Sequence, residues 1–332
     1  MTRPDADGGA INGGAINSGA VNSDAIDEAA VATFMLTAGI APGEFPPVAI
    51  VIAAYNEEGV LGTVIDALPA KVCGLPTATI VVVDGSVDGT AMEAIAHGAL
   101  VCDVPVNRGQ GAALRLGYRL ARECGAAYIV TTDADGQYDP ADMESLLEPV
   151  VAGDADFVTG SRTLGSEETR DPVRKAGVRL FAATISILSG QRVTDPSFGL
   201  RAMRAEVTGA VRLEQPQYQA AELLIGVIAR GFRVAERPAT IRRRRVGESK
   251  KGHNVLYGLR FGGVIVGTWW RERQRTSRGA GAASPTVVSG PTASPDGPGT
   301  PNGSASSAVS TDSSGADGRP TLRVPGRSAK RT

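Results

Sequence analysis

Between residues 46 and 252 the chain alternates short apolar runs with segments of helical spacing. Residues 48–54, 79–83, 99–104, 128–133 and 157–160 are apolar, β-branched runs of strand length, which predicts buried strands. Residues 57–68, 88–96 and 111–124 place apolar side chains at helical intervals, which predicts helices between those strands. Asp139 followed by Pro140 reads as an N-cap and first helical residue, opening a helix to about residue 151. The alternation predicts an α/β fold with a mainly parallel sheet flanked by helices on both faces. After residue 171 the pattern loosens into a helix over 172–189, an irregular stretch through 198–201, a helix over 220–230 and a short strand over 232–236.

The ends of the chain lack such periodicity. Residues 1–45 contain a degenerate five-residue repeat, rich in glycine and poor in large apolar residues, which predicts a disordered tail. Residues 274–332 are dominated by Ser, Gly, Pro, Thr and Ala and predict a second one. Between them, residues 253–273 interleave basic side chains with apolar ones, including Trp269 and Trp270. The apolar part is shorter than the about 20 residues that span a bilayer. Two readings stay open for this segment: lying in a membrane interface or packing on the domain. No basic region followed by an apolar core opens the chain, so no signal peptide is expected. The expected location is cytoplasmic, at most peripheral at the cytoplasmic face of the membrane.

Charge and composition remove several function classes. A formal net charge of −1 gives no global attraction to nucleic acid. Cys73, Cys102 and Cys124 have neither metal-ligand nor disulfide-framework spacing and read as buried thiols. His97 and His253 are the only histidines, which argues against a histidine zinc site and a Ser-His-Asp triad.

The chemistry concentrates where predicted strands end. Asp133-Ala134-Asp135-Gly136-Gln137 follows the 128–133 run. Carboxylates and a side-chain amide are hard oxygen donors suited to Mg²⁺ or Mn²⁺. Ligands of open α/β sheets bind at the carboxyl ends of the strands. Asn56-Glu57-Glu58 and the Asp84-to-Thr90 run end two further strands on the same rim. Asp84 and Asp88 as mere turn and helix caps is the plainer alternative. Two other patterns compete. Gly109-Gln110-Gly111 opens a helix after a strand as in a dinucleotide site, but Leu114 occupies the third small position. Asp133, Asp135, Asp139 and Glu144 fall at EF-hand positions, but Tyr138 stands where the turn glycine belongs. A binder that keeps the fold without turnover is a further alternative.

Taken in order, residues 51–58, the Asp84-to-Thr90 run, residues 107–114, the Asp133-to-Gln137 run and Gly160-Ser161-Arg162 resemble family 2 glycosyltransferases with the GT-A fold. Residues 195–201 and 244–250 narrow the resemblance to dolichyl- or polyprenyl-phosphate sugar transferases. The resemblance implies a Rossmann-like GT-A domain over residues 46–252. It implies transfer of a sugar from a GDP- or UDP-sugar to a polyprenyl phosphate, with inversion and with Mg²⁺ or Mn²⁺. By position it implies that Ala54, Tyr55, Glu57 and Asp84 contact the nucleotide. Asp133, Ala134, Asp135 and Gln137 match the metal and diphosphate site, Asp135 being counted also as catalytic. Arg162 and Arg174 match cations that receive the acceptor phosphate. Arg244, Ser249 and Lys250 match a loop that closes over the diphosphate.

A phosphate acceptor is already anionic near neutral pH and needs no general base. A hydroxyl acceptor needs one, and Asp195 or Glu222 would then be the candidates. Transfer to a hydroxyl of a glycan is thus the second functional reading, with a dinucleotide-binding oxidoreductase behind it. Departures from the family pattern are Val83 before Asp84, Ala53 where Pro is common, and Gln110 where Lys or Leu is common.

Overall fold

The computed structural model describes residues 23–41, 43–168, 172–215, 218–242 and 255–279, without the side chains of 172–174, 255–261 and 276–279. In chain order the elements are α1 Ser23–Ala38, β1 Val48–Ala54, α2 Leu61–Asp66, β2 Lys71–Val72, β3 Leu75–Asp84, α3 Thr90–Ala96, β4 Leu100–Val104, α4 Gln110–Glu123 and β5 Tyr128–Asp133. They continue as α5 Asp142–Val151, β6 Phe157–Glu167, α6 Pro172–Ser189, β7 Arg201–Arg204, α7 Ala205–Ala210, α8 Gln219–Ala229, β8 Val234–Ile241 and α9 Val255–Gly279.

Strands β4, β3, β1 and β5 lie side by side and parallel. Strand β7 is antiparallel to both β5 and β6, and β8 runs parallel to β6 at the far edge. The short β2 folds back on the start of β3. The unbroken apolar runs follow from burial on both faces. On one face Ala49, Val51, Ile80, Val82 and Ile129 pack with α1, α4, α7 and α8. On the other, Val48, Ile50 and Val130 meet Met143, Leu146 and Leu147 of α5. Ile52, Val81 and Val83 meet α2 and α3 on that side.

Several expectations are corrected. The tail expected over residues 1–45 is not a tail from Ser23 onward, because α1 occupies Ser23–Ala38. Its Asp27, Val31 and Phe34 are buried, a helical face that the glycine-rich repeat obscures. Residues 1–22 lie outside the described residues. At the other end α9 runs past residue 273 to Gly279. Ile265, Thr268 and Glu272 of α9 are buried, and Trp269 Nε1 donates to the Leu188 carbonyl at 2.8 Å, so this part of the 253–273 segment packs on the domain. Among the described residues no helix is long and apolar enough to cross a membrane. Strands β3, β6 and β8 are longer than expected, and β7 and α7 were not foreseen. Asp139 accepts from the Ala141 N–H in a turn ahead of α5 instead of capping the helix.

Candidate active site

Parallel register aligns the carboxyl ends that carry the candidate residues. Ala53 pairs with both Val82 and Asp133, so Ala54, Asp84 and Asp133 emerge on one rim. The loops that follow are laced to each other. Asn56 N donates to Ser86 Oγ at 3.0 Å, Val87 N donates to Asn56 Oδ1 at 3.0 Å, and Glu57 N donates to Thr90 Oγ1 at 2.9 Å. Tyr55 is partly exposed above them.

Asp84 is buried under the loop that precedes α4. The main-chain N–H groups of Arg108 and Gly109 donate to its Oδ2 at 2.9 and 2.7 Å, while Oδ1 has no hydrogen-bond partner. Burial pushes the Asp84 carboxyl above the usual carboxylate range; the two amides and the Arg108 charge oppose this. Gly85 makes the close crossing feasible. Its φ is +71°, and a Cβ there would sit 2.2 Å from Asn107 N, a conformation and a contact that only glycine tolerates.

Asp133 ends β5 half-buried, and Gln110 Nε2 at the start of α4 donates to its Oδ1 at 3.1 Å. Asp135 is buried and its Oδ1 accepts from Gln137 N at 3.1 Å. Ala134 between them is buried against the core under α2. Gln137 is tied to the end of β8: its Nε2 donates to the Arg242 carbonyl at 3.1 Å, and Arg242 N donates to the Gln137 carbonyl at 2.7 Å. Arg242 also pairs with Asp139. The chain therefore leaves β8 directly beside the acidic pair. Arg244, Ser249 and Lys250 follow and lie outside the described residues.

The 195–201 segment joins this rim to Arg162. Thr131 Oγ1 donates to the Gly199 carbonyl at 2.7 Å, and Gly199 N donates to Tyr138 Oη at 2.8 Å. A Cβ on Gly199 would lie 2.7 Å from that hydroxyl and 3.1 Å from Asp133 Oδ1. The Tyr138 and Phe198 rings are 4.9 Å apart, and the Arg162 guanidinium lies 5.8 Å from the Phe198 ring centre. Burial and the Asp133 charge raise the Tyr138 hydroxyl, so it stays protonated. Burial lowers Arg162, but the charge and hydrogen bond of Asp195 outweigh it and hold the guanidinium above its usual value. Its Nη1 is buried without a hydrogen-bond partner, 3.8 Å from Glu167 Oε1.

The acids expected as general bases are placed otherwise. Asp195 is fully buried and accepts from Arg162 Nε at 2.6 Å, from Arg162 N at 3.2 Å and from Ser197 Oγ at 3.2 Å. Glu222 is fully buried on α8 and accepts from Glu214 N, Gln215 N and Arg271 Nη2. In this structure the oxygens of both carboxylates are filled by donors from the surrounding fold. Arg174 lies in the first turn of α6, and its side chain is outside the described residues. Arg108, in the loop before α4, and Gln110, its first residue, lie in the 107–114 run of the resemblance, but the resemblance assigns neither a role. Tyr138 and Gly199 meet across 61 positions, a contact that local spacing does not signal.

Residues 49–211 match the model of glycosyl transferase family 2. A dolichyl-phosphate hexose transferase of Haloferax volcanii is 34% identical over 231 residues, covering 70% of this chain and 97% of that one. A polyprenol monophosphomannose synthase of Mycolicibacterium smegmatis is 32% identical over 225 residues, covering 62% and 82%. Among solved structures, glucosyl-3-phosphoglycerate synthase from Mycobacterium tuberculosis in complex with Mn²⁺, UDP and glucosyl-3-phosphoglycerate superposes with a TM-score of 0.55 at 24% identity, over 72% of this chain and 84% of that one. That likeness shows the GT-A fold. With its acidic strand ends on one rim and close relatives along most of the folded part, the chain belongs to glycosyl transferase family 2.

Proposed function

We propose that this glycosyltransferase moves a sugar, with inversion, from a GDP- or UDP-sugar to a polyprenyl phosphate. The observation that carries the reading is the physical continuity from Asp133 through Gly199, Tyr138 and Phe198 to Arg162. It sets a carboxylate rim suited to a metal diphosphate beside a buried guanidinium suited to a second phosphate. The two relatives named above act, by their names, on dolichyl phosphate and polyprenol.

Asp133 and Asp135 would hold the metal. Two carboxylates fit Mg²⁺ or Mn²⁺, because such ions are commonly held by one or two carboxylates with the remaining shell from substrate phosphates and water. Among the described residues no group of three or more His, Cys, Asp or Glu converges on one point, so a shell shared with the diphosphate suits this donor set. A bound ion supplies positive charge against the departing diphosphate. Gln137 is assigned to tethering the end of β8, given its bonds to Arg242. Ala54, Tyr55, Glu57 and Asp84 form the nucleotide side, with Ala134 fixing the spacing of the acids. Arg244, Ser249 and Lys250 are assigned to closure over the diphosphate.

In the proposed reaction an oxygen of the acceptor phosphate attacks the anomeric carbon, and the bond from that carbon to the diphosphate oxygen breaks. One in-line displacement inverts the centre. Arg162 and Arg174 receive the acceptor phosphate and orient it. No proton need be removed from a phosphate monoester that is already anionic, which agrees with the occupied state of Asp195 and Glu222. Exposed Leu180 and Ile187 on α6, with Val266 and Trp270 on α9, support peripheral contact with the lipid phase that holds the acceptor.

The test is a transfer assay with Mn²⁺ or Mg²⁺, a panel of GDP- and UDP-sugars, and polyprenyl phosphate against a glycan hydroxyl acceptor. Product on polyprenyl phosphate is expected. Product on the hydroxyl acceptor alone, or none with any donor, would overturn the proposal.

A further inference from the structure

The helix ahead of the family domain reaches the nucleotide side of the site. Helix α1 precedes residues 49–211, the part that matches the family. Its Asp27 is buried and divides its carboxylate between two arginines of the neighbouring loop and helix. Arg108 Nη1 lies 2.6 Å from Asp27 Oδ1, and Arg115 Nη2 lies 3.0 Å from Asp27 Oδ2. Ser23, at the start of α1, adds its hydroxyl to Arg115 at 3.0 Å. Arg108 is the residue whose main chain holds Asp84. Its side chain points from Asp27 toward the same carboxylate: Nε is 3.8 Å from Asp84 Oδ1, beyond hydrogen-bond distance. Nε, Nη2 and Asp84 Oδ1 are all buried and without hydrogen-bond partners.

That arrangement is unusual. A buried guanidinium beside a buried carboxylate gains by closing the gap, and an unpaired buried acceptor is unfavourable. Here the gap stays open while the opposite corner of Arg108 is held by Asp27. We infer that Asp27 is a positioning residue for the donor nucleotide: by anchoring the Arg108 side chain it holds in place the Arg108–Gly109 main chain, whose N–H groups orient Asp84 on the nucleotide side. Helix α1 is on this view part of the donor site, although it lies outside the family-matched segment. The inference rests on the nucleotide reading of Asp84.

Without the Asp27 charge, Arg108 is drawn onto Asp84, and the main chain that orients this carboxylate shifts with it. The sign is specific. Affinity for the nucleotide falls, while affinity for the acceptor, which meets the Arg162 side, does not.

The experiment is calorimetric titration of the full chain with UDP and with GDP in Mn²⁺, together with donor and acceptor KM. Asp27→Asn is expected to weaken the preferred nucleotide about tenfold, the scale of one charge-assisted hydrogen bond, with the acceptor KM unchanged. Asp27→Glu should recover most of the affinity. In an Arg108→Gln background Asp27→Asn should have no further effect, since the guanidinium through which Asp27 acts is gone. Glu28→Gln, which breaks the exposed pair with Arg119, should leave nucleotide affinity at the wild-type value. If Asp27→Asn does not fold, Arg108→Lys replaces it, with weaker nucleotide binding and an unchanged acceptor KM expected. Wild-type affinity in Asp27→Asn, or an additive loss in the double variant, overturns the inference. A wild-type chain that binds neither nucleotide overturns the donor-site reading beneath it.

Discussion

The carboxylates where the parallel strands end and the buried carboxylates Asp195 and Glu222, in the loop before β7 and in α8, are held in different ways. At the ends of β3 and β5, amides do the holding: Arg108 and Gly109 N–H groups on Asp84, the Gln110 side chain on Asp133, the Gln137 N–H on Asp135. Such bonds orient the carboxylates through neutral donors. In the second set, Asp195 is closed against Arg162 and Glu222 against Arg271. There the carboxylate oxygens are filled by guanidinium donors, while Arg162 keeps Nη1 without a hydrogen-bond partner. The lesson is that an acid becomes a ligand or a strut according to its donors, and the residue type alone does not decide which.

The sharpest way to break this comparison is to remove one acid from each set. Asp135→Ala should lower turnover on the order of 10²–10³-fold, the scale seen when one group stabilising developing charge is lost. Its urea midpoint should fall less than that of Asp195→Asn, since Asp135 sits in the loop just past the end of β5 and not within a strand. Asp195→Asn should do the reverse in kind: breaking a buried pair from one side costs about 3–5 kcal/mol, read as a large fall in the urea midpoint. A stable but inactive Asp195→Asn would instead move Asp195 into the reaction.

Glu222→Gln is the smaller test in the second set. Donors left without a full partner cost about 1–3 kcal/mol, so the midpoint should fall. The pH dependence of residual turnover should keep its shape. A displaced pH profile would restore Glu222 as a base and with it a hydroxyl acceptor.

The last test concerns a strut at the edge of the sheet. Hydrogen bonding from Arg233, with its charge, holds the Asp156 carboxyl below the usual range. A lowered folded value stabilises above the unfolded value of about 3.9 and is lost as pH falls through the folded one. Arg233→Gln should therefore be less stable than the wild-type chain near neutral pH, with the difference closing below about pH 4. A difference that persists in acid would mean packing, not charge, is what Arg233 contributes.

These contrasts also mark what was legible in the sequence. The parallel half of the sheet was readable because its strands are unbroken apolar runs and its candidate residues sit where those runs stop. That is why Asp84, Asp133 and Asp135, on one rim of the sheet, stand out in the sequence. The mixed half was not. Strand β7 begins with the buried Arg201, whose guanidinium meets the Phe198 carbonyl and Gln219, so its pattern does not read as a strand. The arginines that fill Asp195 and Glu222 stand 33 and 49 positions away, so local spacing does not show them. Helix α1 was missed for the same reason. A buried aspartate reads as polar in sequence, and Arg108 and Arg115, 81 and 88 positions on, are what make it a core residue.

Nucleotide affinity with and without metal tests the central claim most directly. Calorimetric titration of UDP and GDP should give binding that strengthens strongly on adding Mn²⁺ in the wild-type chain. In Asp135→Ala the same metal should produce little or no gain, with the fold retained. An equal Mn²⁺ gain in both proteins would contradict the assignment of Asp133 and Asp135 as the metal and diphosphate clamp.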